Sequence, residues 1–131
     1  EKDKGYILNV ASVAGVLGGG PLLSSYYASK AYVVRLSQAI YEELRRRGSH
    51  VSVSVLCPGP VDTNFNERAG VRFAVKGMNS LDVAKYAINS MLKGKFMIFP
   101  GAKTKAGAFL RRFAPEKLLL RLTYDFQKAK E

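Results

Sequence analysis

The sequence has one cysteine and one histidine among its 131 residues. Cys57 has no partner for an internal disulfide, which fits a reducing compartment, and we interpret it as a small buried residue at a strand end. His50 has no second histidine and no cysteine cluster, so no metal site is predicted. The pattern G-x-S-x-G is also missing, and a Ser-His-Asp hydrolase is unsupported.

Long apolar runs are missing as well. No stretch approaches the roughly 18 to 20 apolar residues that a membrane span needs. The first four residues, E-K-D-K, are charged and do not resemble a signal peptide. We therefore expect a cytoplasmic chain of single-domain length, with contact to a membrane surface as the alternative to be tested.

Acidic residues are scarce: 10 Asp and Glu stand against 21 Lys and Arg, a net charge of +11. Such an excess can indicate nucleic-acid binding. Here the basic residues are spread along the chain, and no signature of a nucleic-acid-binding fold accompanies them. We predict that nucleic acid is not a partner.

The apolar residues that are present predict alternating strands and helices. The first apolar run is nearly continuous, which favours a strand buried on both faces of a parallel sheet. The resulting order, β-α-β-loop-α-β, is half of a doubly wound sheet. The predicted strands are 5–11, 51–57 and 95–99, and the predicted helices are about 26–47 and 81–93.

Cap residues mark the ends of both predicted helices. Ser24 or Ser25 is expected to cap the first helix and Ser80 the second, because a serine oxygen can accept from the first free N–H groups. Gly48 and Gly94 are expected just beyond the two helix ends.

Three chemically related side chains follow the first strand. Tyr26 and Lys30 are four residues apart, so on a helix they share one face, and an ammonium beside a phenol favours the phenolate. Such a phenol can exchange a proton with an alcohol or carbonyl near neutral pH. Ser12 comes directly after the strand, at the sheet edge where α/β proteins place ligands.

With these residues the chain resembles the short-chain dehydrogenase/reductase family over residues 5–99. The resemblance lies in three segments in the family's order: G-Y-I-L-N-V-A-S-V-A-G, then Y-Y-A-S-K, then C-P-G-P-V-D-T. It implies an α/β fold, namely the C-terminal half of a Rossmann-like doubly wound parallel sheet. It also implies an enzyme that interconverts a small-molecule carbonyl and an alcohol by hydride transfer with NADP or NAD, with NADP preferred.

The resemblance assigns the catalytic roles. Tyr26 would act as acid or base on the substrate oxygen. Lys30 would favour the phenolate of Tyr26 and hydrogen-bond the nicotinamide ribose, so both residues are also expected to contact the cofactor. Ser12 would orient and polarise the carbonyl.

It also assigns cofactor contacts after the second strand. The loop that contains Pro58 and Gly59 would lie at the nicotinamide end of the cofactor. Val61 would hold the carboxamide through backbone groups, and Thr63 would add its hydroxyl. Residues 64–79 match a variable segment that covers the substrate in the family.

The family's Gly-rich phosphate loop and its catalytic Asn are expected ahead of residue 1. The triple glycine 18–20 is no substitute, because it lacks the G-x-G-x-x-G pattern and precedes Pro21. We therefore expect a piece of a longer, homo-oligomeric enzyme that by itself binds the cofactor weakly or not at all. The alternative is a non-catalytic fragment that acts as an assembly or membrane-surface module.

Two parts are predicted: residues 1–101, which carry the Ser/Tyr/Lys group, and a basic amphipathic helical tail, residues 102–131. From residue 103 the tail holds eight Lys or Arg and three Asp or Glu. Pro115 is expected to divide it into two helical pieces. The tail could pack on the body, cover the substrate mouth, form a subunit contact or lie on an anionic membrane.

Overall fold

Strands and helices alternate along the chain in the computed structural model, which describes residues 3–64 and 76–128. The predicted substrate-covering segment 64–79 lies mostly outside these residues. The elements are β1 (Lys4–Val10), α1 (Ser24–Arg46), β2 (His50–Leu56), β3 (Val61–Asp62), β4 (Met78–Asn79), α2 (Ser80–Leu92), β5 (Met97–Ile98), α3 (Ala102–Leu110) and α4 (Glu116–Lys128).

The main sheet has the order β1-β2-β5, and all its strands are parallel. Lys4 pairs with His50 at one end of the β1–β2 ladder and Val10 pairs with Leu56 at the other. β1, α1 and β2 form a parallel β-α-β unit, so the predicted α/β class is confirmed. β5 is shorter than the predicted strand 95–99, and β3 and β4 form a separate two-stranded parallel ladder.

Apolar residues cover the sheet on both faces. On one face Val34 of α1 and Ala108 of α3 pack with Val55 and Cys57. On the other face α2 packs on the sheet through two of its residues. That second cluster contains Leu56, Val83, Ala87 and Ile98. The sheet thus lies between α1 and α3 on one side and α2 on the other.

The predicted burial of the first strand on both faces is wrong for this chain. Tyr6, Ile7 and Val10 of β1 are 50%, 42% and 57% exposed. Within the described residues β1 pairs with β2 along one edge, and no strand pairs with its other edge. β2 has strands on both edges and is buried from Val53 onward.

The predicted glycines lie just beyond the C-terminal ends of α1 and α2, whereas the predicted serines do not cap the N-terminal ends. Gly48 and Gly94 follow α1 and α2 with φ of +66° and +69°, a conformation that favours glycine. The predicted cap Ser80 is wrong, because the Asn79 amide oxygen accepts from the N–H groups of the second and third helical residues at 2.9 and 3.3 Å. Ser24 and Ser25 are wrong as caps too: both lie inside α1, whose first flanking residue makes no side-chain cap bond.

The tail folds as two helices, as Pro115 predicted. α3 is followed by a short 3-10 turn, Arg111–Phe113, and α4 begins directly after the proline. The Pro115 carbonyl accepts from Leu118 and Leu119 in the first turn of α4. The missing N–H of a proline is not needed at a helix start, so the residue can end one helix and begin the next.

Candidate active site

Ser12 is held at the carboxyl end of β1. It caps the 3-10 turn Val13–Gly15, and its Oγ accepts from the Ala14 N–H at 3.2 Å. Its hydroxyl donates toward the Pro58 carbonyl at 3.5 Å, and the residue is 8% exposed. The serine suits this position because its short side chain satisfies a free N–H at the start of a turn.

The loops that follow β1 and β2 run side by side. The Ala11 N–H donates to Leu56 O and the Val13 N–H donates to Pro58 O, each at 2.8 Å. These bonds extend the parallel ladder past the ends of both strands. Ser12 and Pro58, which belong to separate sequence motifs, are thereby brought into contact.

Tyr26 and Lys30 lie together in the first turns of α1. The Lys30 Nζ is 5.8 Å from the centroid of the Tyr26 ring, within the range of a cation–π contact. Both side chains are partly buried. The predicted helical juxtaposition of a phenol and an ammonium is therefore present.

A close approach at Gly15 joins the serine turn to this part of α1. A Cβ on Gly15 would lie 2.4 Å from Lys30 O and 3.0 Å from Val34 Cγ2. Any side chain at that position would force the turn away from the helix. The glycine therefore allows the turn that begins at Ser12 to rest on the turn of α1 that ends at Lys30.

The other predicted contact residues follow β2 in the chain. Val61 belongs to β3 and pairs with Met78, while Thr63 is exposed. Gly59 lies close to α3, because a Cβ there would come within 2.8 Å of Thr104 Oγ1. The first residues after β2 thus lie between the Ser12 contact and α3, and Val61 then continues the chain into β3.

A family model described as short chain dehydrogenase matches residues 1–72, more than half of the chain. The chain belongs to the short chain dehydrogenase family. The matched residues 1–72 include Ser12, Tyr26, Lys30 and the loop that follows β2.

Characterised relatives are similar over much of the chain. A 3beta-hydroxysteroid dehydrogenase from Mediterraneibacter gnavus is 35% identical over 95 residues, which are 70% of this chain and 33% of the relative. A 17-beta-hydroxysteroid dehydrogenase 13 from Rattus norvegicus is 31% identical over 121 residues, 90% of this chain and 39% of the relative. The chain thus spans about a third of the length of these relatives.

Solved structures share the fold. A short chain dehydrogenase/reductase from Burkholderia phymatum in complex with NAD has a TM-score of 0.71 and 28% identity, over 84% of this chain and 47% of that one. A short chain dehydrogenase from Burkholderia cenocepacia in complex with NADP has a TM-score of 0.74 over 91% of this chain and 47% of that one. Its identity of 24% shows a likeness of fold alone.

Two side chains of the predicted site are hydrogen-bond donors. Lys30 offers an ammonium and Thr63 a hydroxyl, both donors suited to ribose and carboxamide oxygens. The triple glycine does not offer a phosphate cradle, because the space beside it is filled by protein. Added Cβ atoms on Gly18, Gly19 and Gly20 would lie 2.6, 3.0 and 2.1 Å from side chains of Glu116, Leu120 and Tyr27.

Motif reasoning missed the role of Tyr27. Its ring meets that of Tyr26 edge-on with centroids 6.3 Å apart, and its hydroxyl accepts from Gln127 Nε2 at 2.8 Å. Tyr27 is 7% and Gln127 5% exposed. Burial raises the pKa of Tyr27 above its usual value, against a smaller opposing effect of the Gln127 hydrogen bond. A helical core stripe marks Tyr27 in the sequence, but no local signal indicates Gln127, a hundred residues away.

Cys57 is fully buried beneath the loops of the site. Burial raises the pKa of its thiol to about 12, because the thiolate would lose its hydration. A thiol in this state is a poor nucleophile at neutral pH. Cys57 therefore belongs to the buried core, in one cluster with Ala11, Val34 and Val55.

Proposed function

We propose that the protein is an NAD(P)-dependent oxidoreductase that interconverts a carbonyl and an alcohol by hydride transfer. The observation that supports this most is the Lys30 ammonium above the Tyr26 ring, on the turn of α1 that rests on the Ser12 turn. Membership of the family supports the reaction class, and the related structures bound to NAD and NADP support the cofactor class.

In this proposal Tyr26 moves a proton at the substrate oxygen. Its phenol donates the proton when a carbonyl is reduced and takes it back when an alcohol is oxidised. Lys30 places its positive charge 5.8 Å from the centroid of the Tyr26 ring and would donate a hydrogen bond to the nicotinamide ribose.

Ser12 orients the substrate oxygen. Its hydroxyl donates to Pro58 O at 3.5 Å, the outer limit of a hydrogen bond. Such a weak bond costs little to break, so the proton can turn toward a substrate oxygen. The Oγ stays fixed meanwhile by the Ala14 N–H.

The nicotinamide, when bound, supplies or accepts the hydride. Pro58, Gly59, Val61 and Thr63 would contact this end of the cofactor, Val61 through its backbone and Thr63 through its hydroxyl. The cofactor in this proposal is NADP or NAD, with NADP slightly favoured. We expect the 131-residue chain alone to bind either dinucleotide weakly or not at all.

The same proposal includes the division of the chain into two parts, its partners and its location. Residues 1–101 carry the active site, and residues 102–131 form the basic tail. The substrate is a small carbonyl or alcohol, nucleic acid is not a partner, and the full enzyme is a cytoplasmic homo-oligomer.

The test is a fluorescence titration with NADPH and NADH, followed by carbonyl reduction with a panel of ketones. Both are run on this chain and on the longest natural form of the protein that contains it. We expect binding and turnover in the longer form, and a loss of about a hundredfold or more in kcat in Tyr26→Phe. Tyr32→Phe is the matched control, because Tyr32 is 67% exposed on the same helix.

Two results would count against the proposal. One is unchanged turnover in Tyr26→Phe, which would remove the phenol from the reaction. The other is a longer form that binds neither dinucleotide. Micromolar binding by the 131-residue chain would instead show a working cofactor site without a Gly-rich loop.

A second candidate function is a non-catalytic assembly module. The observation that favours it is the exposed apolar surface of β1, since an edge strand of this kind tends to pair with other chains. It predicts concentration-dependent association, measured by analytical ultracentrifugation, that Tyr6→Lys weakens. A chain that stays monomeric at 100 μM, roughly the upper range of such assays, would exclude it.

A further inference from the structure

One face of α4 packs on the body of the protein. Gln127 is buried against Tyr27 near the end of the helix. At the start, the Glu116 carboxylate lies against Gly18, and the Leu120 side chain lies beside Gly19. The inner face of α4 is therefore fixed along its length by the glycine-rich turn and by α1.

The outer face of α4 carries apolar side chains. Leu118, Leu122 and Phe126 are spaced by four residues, so they form one stripe along the helix. They are 47%, 56% and 41% exposed. A stripe of this kind is unusual on a surface that faces only water.

The preceding segment extends this surface. Leu110 and Phe113 are 62% and 75% exposed, and the Phe113 ring contacts the ring of Phe109 with centroids 5.6 Å apart. Leu110 and Leu122 both border a hollow of about 380 Å³ between the tail and the body, whose other wall includes Val13 and Pro60. We call the combined region the tail surface, consisting of Leu110, Phe113, Leu118, Leu122 and Phe126.

Cations flank the tail surface. Lys117, Arg121 and Lys128 are exposed along one side of the stripe. The Arg112 guanidinium lies 6.0 Å from the Phe109 ring beside Phe113. Of the two acidic residues in α4, Glu116 is turned toward Gly18, which leaves Asp125 as the acid of the outer face.

We propose that the tail surface docks on an anionic lipid surface, with α4 lying in the plane of the membrane. Apolar side chains would enter the boundary between headgroups and acyl chains, while lysine and arginine stems reach anionic headgroups. Among the described residues, every helix is too short or too polar to cross a bilayer. The contact is therefore peripheral.

Charge and chemistry favour lipid over other occupants. A second copy would place the same cations against each other, which disfavours self-association through this face. Nucleic acid would match the cations but would leave the exposed leucines without an apolar partner. An anionic membrane offers acyl chains to the apolar stripe of α4 and negative headgroups to the cations that flank it.

The proposal is tested by sedimentation of the protein with vesicles of phosphatidylcholine alone and with about 30% phosphatidylglycerol, an anionic fraction large enough to attract polybasic segments. We expect binding to the anionic vesicles that weakens in high salt. Leu118→Gln with Leu122→Gln should lower the vesicle affinity at least about tenfold, because two apolar side chains no longer enter the lipid. Lys117→Gln should lower it about fivefold, and Asp125→Asn should raise it.

Matched controls lie on α2, on the other side of the sheet. Leu81 and Leu92 are 59% and 53% exposed and Lys85 is also exposed, so Leu81→Gln with Leu92→Gln, and Lys85→Gln, remove the same groups from a different surface. Both controls should leave vesicle binding unchanged. The assay needs no cofactor or substrate, so its outcome is independent of the proposed oxidoreductase activity.

Four outcomes would overturn the proposal. The first is no sedimentation with anionic vesicles at low salt, and the second is equal binding by the leucine variants and wild type. The third is a dimer in ultracentrifugation that the leucine variants dissociate, which would make a second copy the occupant. Duplex DNA binding that survives the leucine variants, with no vesicle binding, would likewise contradict it.

Discussion

The two sides of the first turn of α1 carry the same side chain in different surroundings. On one side Tyr26 is partly buried beneath the Lys30 ammonium, near the serine turn. On the other side Tyr27 is buried between Gly20 and the last turn of α4. Adjacent tyrosines can therefore have unrelated tasks, because the helix turns them into different neighbourhoods.

The difference between them is one of accessible chemistry. The Tyr27 hydroxyl is occupied by Gln127, and burial raises its pKa, so this phenol is poorly suited to proton transfer. In the proposed function the Tyr26 phenol moves a proton next to a cation. Tyr26 is thus expected to matter for turnover and Tyr27 for the docking of the tail.

The largest expected effect separates the two tyrosines by activity. In the longest natural form, Tyr26→Phe should lower kcat about a hundredfold or more, while Tyr27→Phe should keep it within about threefold, because only Tyr26 loses a proton-transfer group. Steady-state ketone reduction checks this. Equal losses of kcat in both variants would mean that Tyr26 and Tyr27 contribute to turnover together.

The next effect is on stability and concerns the close packing of the Tyr27 ring against Gly20. Gly20→Ala should lower the free energy of unfolding by about 1–3 kcal/mol, since a Cβ would lie 2.1 Å from the Tyr27 ring and the ring must move. Gly107→Ala is the control: a Cβ there has no atom within 4 Å, and alanine in a helix should be neutral or stabilising. Urea unfolding measures both. A Gly20→Ala chain as stable as wild type would show that Tyr27 is not wedged against the turn.

A smaller effect on stability is expected from breaking the hydrogen bond between Gln127 of the tail and Tyr27 of α1. Tyr27→Phe and Gln127→Leu should each lower the free energy of unfolding by about 1 kcal/mol, because each breaks the buried hydrogen bond between these two side chains. The double variant should lose less than the sum, which a double-mutant cycle in urea would detect. Strict additivity would mean that the two side chains do not stabilise each other.

The smallest effect is a dependence on pH. Burial places the pKa of folded Tyr27 above the value near 10 of an unfolded chain. The neutral phenol is therefore favoured by folding, and this stabilisation is complete below about pH 10 and lost as pH rises through the folded pKa. Urea unfolding between about pH 9 and 11 should show a decline that is shallower in Tyr27→Phe. Identical slopes in the two proteins would contradict the buried position of Tyr27.

Local patterns were enough to predict much of this chain. Apolar runs and their spacing predicted parallel strands joined by α1, because burial on a sheet imposes that periodicity. Gly48 and Gly94 predicted the helix ends, since few other residues tolerate positive φ. The four-residue spacing of Tyr26 and Lys30 predicted that they share a helix face.

Other features depend on residues far apart in sequence. The exposure of β1 depends on which strands lie beside it, and its own apolar composition indicated burial instead. The cap of α2 depends on the direction of the Asn79 amide, which composition does not give. The side chains of Glu116, Leu120 and Tyr27 fill the space beside the triple glycine, and this depends on how α4 packs against the body.

The sequence by itself thus determined the α/β class, the family resemblance and the pairing of Tyr26 with Lys30, because these depend on spacing within one element or on local motifs. Only the tertiary structure decided that Ser12 meets Pro58, that Tyr27 bonds Gln127 and that α4 turns its leucine stripe outward. The physical reason is that these contacts join segments whose mutual approach is set by packing, and packing sums weak interactions over the whole chain.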